Sequence, residues 1–199
     1  MGGIKGQGNN PFKVGVEQQN VFAEWIEDIS LREVAVVEAY QNSEAMLCGV
    51  FSCEGKMLAV GGKDKVLRVY EVSTGKLLYV LSGHQANICS LVSLGQFVGS
   101  GGDHGCSTLI IWDNKNWSIR SKMQLHTAAV TCIVDLQDSS NLATASYDKK
   151  INIFNYRKGS VVLTVSGKAG IACMGLTSDR HRLIAAALDN SIAIWRLSR

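Results

Sequence analysis

The sequence has few of the features that mark a membrane protein, a secreted protein or a nucleic-acid binder. No apolar run reaches the roughly 18 to 20 uncharged residues that cross a bilayer, and the N-terminus MGGIKGQGNN lacks the hydrophobic centre of a signal peptide. The net charge is only +3 in 199 residues, and Lys and Arg form no stripe or block. We therefore expect no membrane or nucleic-acid partner, and a cytoplasmic location with the nucleus as an alternative.

The sequence also lacks the signature of a metal site and of sustained helices. Six Cys and four His are present, but there is no CxxC pair, and Cys48 with Cys53 is the only close couple. Because metal ligands must lie close together, we predict no metal and no cofactor. Helical spacing of apolar residues is not sustained after about residue 30, and the single proline is Pro11.

Three residue types instead recur with nearly the same period along the chain. A Cys within a short apolar run returns at intervals of 41, 43 and 41 residues, an Asp at 39, 45 and 41, and an aromatic residue at 42, 42 and 41. The members are Cys48, Cys89, Cys132 and Cys173; Asp64, Asp103, Asp148 and Asp189; and Tyr70, Trp112, Phe154 and Trp195. Such internal self-similarity is the signature of a repeat architecture.

Each period has the pattern of four short strands. In the first full unit the segments MLCGVFS, KMLAVGG, VLRVYEV and KLLYVLS are separated by the turn sequences CEGK, KDK and STGK. The unit is therefore predicted to be a four-stranded antiparallel meander, with the recurring Asp in the turn between the second and third strands. A period of about 40 to 45 residues with four strands is typical of a β-propeller blade. We predict an all-β fold, with the four Cys as buried thiols at one place on the innermost strands.

The residues also resemble the WD-repeat family, from about residue 35 to the last residue. Gly83-His84 and Trp112-Asp113 match the GH and WD dipeptides of one repeat, and His126 stands at the next equivalent of His84. The resemblance implies blades in which this His bonds the turn Asp, and in which a Ser or Thr of the second strand and a Trp of the third complete the network. The expected networks are His84, Ser100, Asp103 and Trp112, then His126, Thr144, Asp148 and Phe154, where Phe154 lacks an N–H group.

The domain organisation predicted from these repeats is a short leader and a run of blades. Residues 1–20 are predicted to be a flexible leader and residues 21–40 N-terminal strands, with Trp25 in the place of a repeat aromatic. Repeat units follow at about 41–83, 84–125, 126–167 and 168–199. A strand at 32–44 would complete the last unit, in which SIAIWRL is the third strand. Because WD-repeat rings usually have more than four blades, we expect part of a larger propeller, whose open ends meet missing blades or a second copy.

The in-phase repetition argues against catalysis. An enzyme needs one active constellation, whereas His84 and His126 each have their own downstream Asp, and no GxSxG motif is present. We therefore favour a non-enzymatic scaffold for protein–protein interactions. One alternative is a substrate receptor of a cullin-type ubiquitin ligase, because the stretch 112–115 weakly resembles the docking sequence of such proteins. Another is a propeller-based hydrolase or isomerase.

The turns that carry Asp and His are expected to emerge on one face of the propeller and to form a binding surface. Tyr147 is the first choice, because aromatic residues are enriched at binding hot spots. Trp117 either marks a second contact at the rim or covers an adjacent blade. The full set of predicted contact residues is Lys63, Asn87, His104, Thr127 and Tyr147.

Overall fold

The computed structural model describes residues 44–138 and 140–197, which form fifteen strands in four antiparallel sheets. The predicted leader at 1–20, the strands at 21–40 and Trp25 lie outside the described residues. No helix in the described part of the chain is long and apolar enough to cross a membrane. The predicted all-β fold class is confirmed.

The strands of each sheet follow one another in chain order. The first sheet holds β1 (Met46–Ser52), β2 (Met57–Gly62), β3 (Val66–Glu71) and β4 (Leu77–Ser82). The second holds β5 (Ile88–Ser93), β6 (Phe97–Gly102), β7 (Thr108–Asp113) and β8 (Ser118–Gln124). The third holds β9 (Val130–Asp135), β10 (Asn141–Ser146), β11 (Lys150–Asn155) and β12 (Ser160–Ser166). The fourth holds β13 (Ile171–Leu176), β14 (Arg182–Ala187) and β15 (Ile192–Arg196).

The sheets stack in series and bury one apolar cluster at each junction. Leu67 and Val69 of the first sheet pack with Ile88 and Trp112 of the second, and two further clusters join the second to the third sheet and the third to the fourth. The innermost strands β1, β5, β9 and β13 contact one another in that order. Within residues 44–138 and 140–197, no buried cluster joins the first sheet to the fourth. The sheets are therefore successive blades of a β-propeller arc.

Adjacent sheets approach one another closely because small residues and short polar side chains lie between them. A Cβ atom added at Gly101 would lie 2.8 Å from Cγ1 of Val130 on the next sheet. The Thr131 hydroxyl donates to the carbonyl of Ile171 (2.7 Å), and Ser90 Oγ accepts from the backbone N–H of Ile133 (3.0 Å). These bonds satisfy polar groups at the junction and fix the height of each sheet against the next.

The prediction that the four recurring Cys share one place as buried thiols is wrong. Cys48, Cys132 and Cys173 pair with equivalent residues of their second strands, but in the second sheet that place is taken by Ser90. Cys89 falls one residue earlier, where the ladder register shifts. Cys173 is exposed, because no further sheet covers it in the described part of the chain. Equal spacing therefore hid a shift of one position at a β-bulge.

We predict that Gly101→Ala destabilises the fold by about 1–3 kcal/mol, because its methyl group would overlap Val130 in a packed junction. Gly175→Ala is the matched control, since nothing lies within 4 Å of a Cβ atom there. Urea unfolding followed by tryptophan fluorescence measures both. Equal effects of the two substitutions would contradict close packing at Gly101.

Candidate functional site

The turns between second and third strands lie on one face, beside the loops that precede the first strands. The backbone N–H of Lys63 donates to Ala45, and that of Leu188 donates to Gly170 (2.8 Å). Two equivalent bonds join the second and third sheets to their own loops. We call the surface formed by residues 63–65, 83–87, 103–107, 125–129, 147–149, 167–170 and 188–191 the turn face.

His126 is the centre of a buried polar network in the third sheet. Its Nδ1 lies 3.0 Å from Oδ2 of Asp148, and its Nε2 lies 2.9 Å from the hydroxyl of Thr144. Asp148 also accepts from the backbone N–H groups of Thr127 (3.0 Å) and Lys150 (3.0 Å). One carboxylate thus joins the loop before β9 to the turn after β10, and holds both in a single geometry.

Asn152 adds an amide group to the network of the third sheet, and the sequence analysis missed it. Phe154 has no N–H group, but the Asn152 amide donates to the carbonyl of Leu125 (2.8 Å) and lies 3.4 Å from His126 Nε2. Its oxygen accepts from the hydroxyl of Thr164 (2.6 Å). The signal in the sequence was a polar residue within the apolar strand KINIFN.

The second sheet has the hydrogen bonds of the Ser and of the indole, but no bond from its His to a carboxylate. Ser100 Oγ lies 2.7 Å from Nε2 of His84 and accepts from the indole N–H of Trp112 (2.8 Å). The expected bond from His84 to Asp103 is absent, and this part of the prediction is wrong. His84 Nδ1 is buried without a hydrogen-bond partner, whereas Asp103 accepts from the side-chain amide of Asn87 (3.2 Å).

The longer turn of the second sheet explains the missing bond. Five residues separate β6 from β7, against three between β10 and β11. The backbone N–H of Asp103 donates to Asn87 (2.8 Å), as that of Tyr147 does to Ala129. Asp103 therefore occupies the place of Tyr147, one residue before the place of Asp148. The uneven Asp spacing of 39 and then 45 residues was the sequence signal of this shift.

Both buried imidazoles are neutral at physiological pH. Burial and, to a smaller extent, the nearby Lys122 ammonium together lower the pKa of His84 to about 4. Burial also lowers the pKa of His126, although Asp148 acts in the opposite direction. Burial opposes ionisation of Asp148, but the hydrogen bonds from Thr127, Lys150 and His126 together outweigh it, so the pKa of Asp148 lies below its usual value. A neutral His126 donates from Nδ1 to a charged Asp148.

The first and fourth sheets use their turn carboxylates in other ways. Asp64 pairs with the guanidinium of Arg68 and accepts from the N–H of Val66. Asp189 accepts from the hydroxyl (2.5 Å) and the N–H (3.1 Å) of Ser191. Asp64 and Asp189 therefore bond only to groups near their own turns. In the described part of the chain, the turn carboxylate bonds an imidazole in the third sheet alone.

Two of the five predicted contact residues lie side by side on the turn face. The rings of His104 and Tyr147 stack with centroids 5.9 Å apart and planes inclined by 26°, and both side chains are exposed. Lys63 and Thr127 are exposed on other parts of the face, and Asn87 is half-buried against Asp103. The longer turn of the second sheet thus brings His104 against the third sheet.

Trp117 covers an adjacent blade rather than forming a contact at the rim. It is 3% exposed and packs in the cluster between the first and second sheets, 6.1 Å from the ring of Tyr79. The neighbouring Asn114 donates to Ser52 (3.1 Å) and to the carbonyl of Gly95 (2.6 Å). In the part of the chain that the structure describes, no group of three or more His, Cys, Asp or Glu side chains is placed to hold a metal ion.

Comparison with known proteins agrees with this geometry. The family model of the WD domain, G-beta repeat (WD40), matches residues 75–113 and 117–155. The chain carries WD40 repeats. Each matched WD40 segment contains the fourth strand of one sheet followed by the first three strands of the next, so the repeats overlap the sheet junctions and tie successive blades together.

Proteins of several kinds are similar to this chain. COMPASS component SWD3 of Saccharomyces cerevisiae is 27% identical over 85% of this chain and 57% of its own length. Autophagy-related protein 16 of Arabidopsis thaliana is 24% identical over 74% of this chain and 30% of its own. The U3 small nucleolar RNA-associated protein 15 homolog of Xenopus tropicalis is 30% identical over 74% and 29%. The chain spans from 16% to 57% of the length of the first curated relatives that it matches.

A solved structure supports the fold in the same way. The structure of U3-55K superposes on 82% of this chain with a TM-score of 0.72 and 21% sequence identity. The superposition covers 51% of the U3-55K chain. The sheets described for this protein therefore correspond in fold to about half of that chain.

We predict that Ser100→Ala lowers the free energy of unfolding by about 2–6 kcal/mol. The substitution leaves His84 Nε2 and the Trp112 indole N–H buried without their shared partner, at about 1–3 kcal/mol for each group. Ser160→Ala, the same change at an exposed strand position, is expected to stay within about 0.5 kcal/mol. Urea unfolding measures both, and a small effect at Ser100 would show that water replaces the lost hydroxyl.

We predict that His84 makes the protein less stable in mild acid. Between pH 6.5 and about 4 the unfolded chain binds a proton at this residue and the folded chain does not, so stability falls as the pH falls. The loss reaches about 2 kcal/mol by pH 5. Unfolding of the wild type and of His84→Gln at pH 7, 6 and 5 isolates this contribution. Parallel pH profiles would contradict the low pKa.

Proposed function

We propose that the chain is a non-enzymatic scaffold whose turn face contacts partner proteins. The observation that carries the proposal is the exposed stack of His104 on Tyr147, which bridges the second and third sheets. Tyr147 keeps 40% of its surface exposed although its backbone is bonded into the face. An aromatic side chain held in this way offers contact area at a low cost in conformational entropy.

The buried networks beneath this stack support the proposal. Asp148 follows Tyr147 directly and holds the turn to His126 and to the N–H of Thr127. The Tyr147 N–H is bonded to Ala129. A partner therefore binds a surface whose backbone is already ordered. The conformational entropy lost on binding is then smaller than for a mobile loop that must become ordered.

The names of the relatives favour a role in an assembly. They include a COMPASS component and a U3 small nucleolar RNA-associated protein. The proposed partners are proteins. The proposed assembly can also contain RNA, and we propose a nuclear location as well as the cytoplasmic one. The ligase-receptor alternative gains no support from the stretch 112–115, because Trp112 is buried and Asn114 is bonded to Ser52.

Photo-crosslinking tests which face binds. We expect p-benzoylphenylalanine at Tyr147 to capture a defined set of proteins in cells, because this side chain lies exposed on the turn face. The matched control is the same amino acid at Val72, which is 45% exposed in the turn between β3 and β4. His104→Ala should reduce capture at position 147, since it removes one ring of the stack.

Two results would count against the proposal. Equal capture from positions 72 and 147 would show contact without a preferred face. Capture from position 72 alone would place the binding surface on the opposite side. Circular dichroism of each labelled protein shows whether the blades remain folded.

A further inference from the structure

A cavity of about 250 Å³ opens between the third and fourth sheets, beside the turn face. Small residues form most of its wall, with the Trp195 ring at one side and Lys168 at its mouth. Its wall includes Gly167, Ala169, Ala185, Ala187, Ala193 and Trp195. In the second and third sheets the corresponding space contains the polar networks around His84 and His126.

The cavity exists because three side chains of the network have been lost in the fourth sheet. Lys168 follows β12 by two residues, as His126 follows β8. Ala185 pairs with Ala193 in the ladder, as Thr144 pairs with Asn152. An imidazole, a hydroxyl and an amide are therefore replaced by an exposed ammonium and two methyl groups, and nothing of equal volume fills the space.

Trp195 keeps the position of the repeat aromatic but not its acceptor. It pairs with Leu183 as Trp112 pairs with Val98, so the two indoles lie at equivalent places in their sheets. The Trp112 N–H donates to Ser100. Ala185 stands at the ladder position of Ser100 but has no oxygen on its side chain. An oxygen atom of a ligand could therefore accept the hydrogen bond of the Trp195 indole N–H.

Lys168 adds a charge at the mouth of the cavity. Its side chain is exposed and forms no ion pair within the described residues, although the Asp189 carboxylate, which accepts two bonds from Ser191, is close enough to interact with it electrostatically. The ammonium is therefore available to a second carboxylate. A wall that is mostly apolar, with Ser166 and Ser191 as its only hydroxyl-bearing lining residues in the described part of the chain and a cation at its edge, fits an apolar group followed by an acidic one.

We propose that this cavity is a peptide-binding subsite that takes one apolar side chain of a partner protein, with an adjacent carboxylate on Lys168. An apolar cavity of roughly 150 Å³ accommodates benzene, so about 250 Å³ admits a leucine-sized or phenylalanine-sized side chain. A backbone carbonyl of the same peptide would accept from the Trp195 indole. The inference rests on the proposed function, protein binding, but concerns a site separate from the stack of His104 on Tyr147.

Nuclear magnetic resonance of the tryptophan indoles tests the subsite with two probes of equal shape. The probes are N-acetyl-Leu-Glu-amide and N-acetyl-Leu-Gln-amide, and the Trp195 indole signal is assigned with Trp195→Phe. We expect both probes to shift this signal saturably, in the millimolar range typical of so small a ligand. The Glu probe should bind about two- to fivefold more tightly, the range of an exposed ion pair.

Three variants locate the effect. Lys168→Gln should abolish the preference for the Glu probe, whereas Lys149→Gln, a matched change of an exposed lysine on the turn face, should preserve it. Ala193→Leu should fill the cavity and reduce binding of both probes at least tenfold.

The subsite is overturned if neither probe shifts the Trp195 signal, or if the shift survives Ala193→Leu in a protein that remains folded. Equal affinity of the two probes for the wild type would overturn the role of Lys168. The titrations involve no cellular partner, so a negative titration does not change the result of photo-crosslinking at position 147. Likewise, a negative photo-crosslinking result does not change what the titrations show about the cavity.

Discussion

The stacking of each sheet against the next is the constraint on which the rest of the structure depends. A small sheet with two apolar faces cannot bury both by itself, and its neighbours supply the missing contacts. The effect of this constraint is visible at the fourth sheet, which no further sheet follows within residues 44–138 and 140–197. Ile151 of the third sheet is 1% exposed, whereas Ile192, at the equivalent ladder position of the fourth, is 71% exposed. The residue type is the same, but within the described residues the strand of Ile151 has both a fourth strand beside it and a following sheet, and the strand of Ile192 has neither.

The polar networks act on this packed frame rather than create it. Three sheet junctions have apolar clusters of similar composition, although the networks above them differ from sheet to sheet. The third sheet joins His126 to a carboxylate, the second leaves His84 Nδ1 without one, and the fourth has lost the imidazole altogether. The networks therefore determine the local order of the turn face, while burial of apolar surface holds the sheets together.

Most of the fold could be predicted from the sequence because strand alternation and turn residues are local signals. The strand predicted at MLCGVFS has the bounds of β1, and the aromatic residues hold equivalent ladder positions in all four sheets. What failed were assignments that depended on single-residue register. A bulge displaced Cys89 and a longer turn displaced Asp103, and equal spacing reveals neither. The role of Asn152 also required three-dimensional contacts, since its partners come from two other segments.

The variation among the networks has a physical explanation that connects fold to function. Because stacking alone keeps the sheets in place, a turn can lengthen or a network can disappear without loss of the frame. The longer turn of the second sheet leaves His84 without a carboxylate, yet it carries His104 onto Tyr147. The missing network of the fourth sheet leaves the cavity beside Trp195. Departures from the repeat pattern thus make one part of the turn face different from another, and such differences are what a binding partner can distinguish.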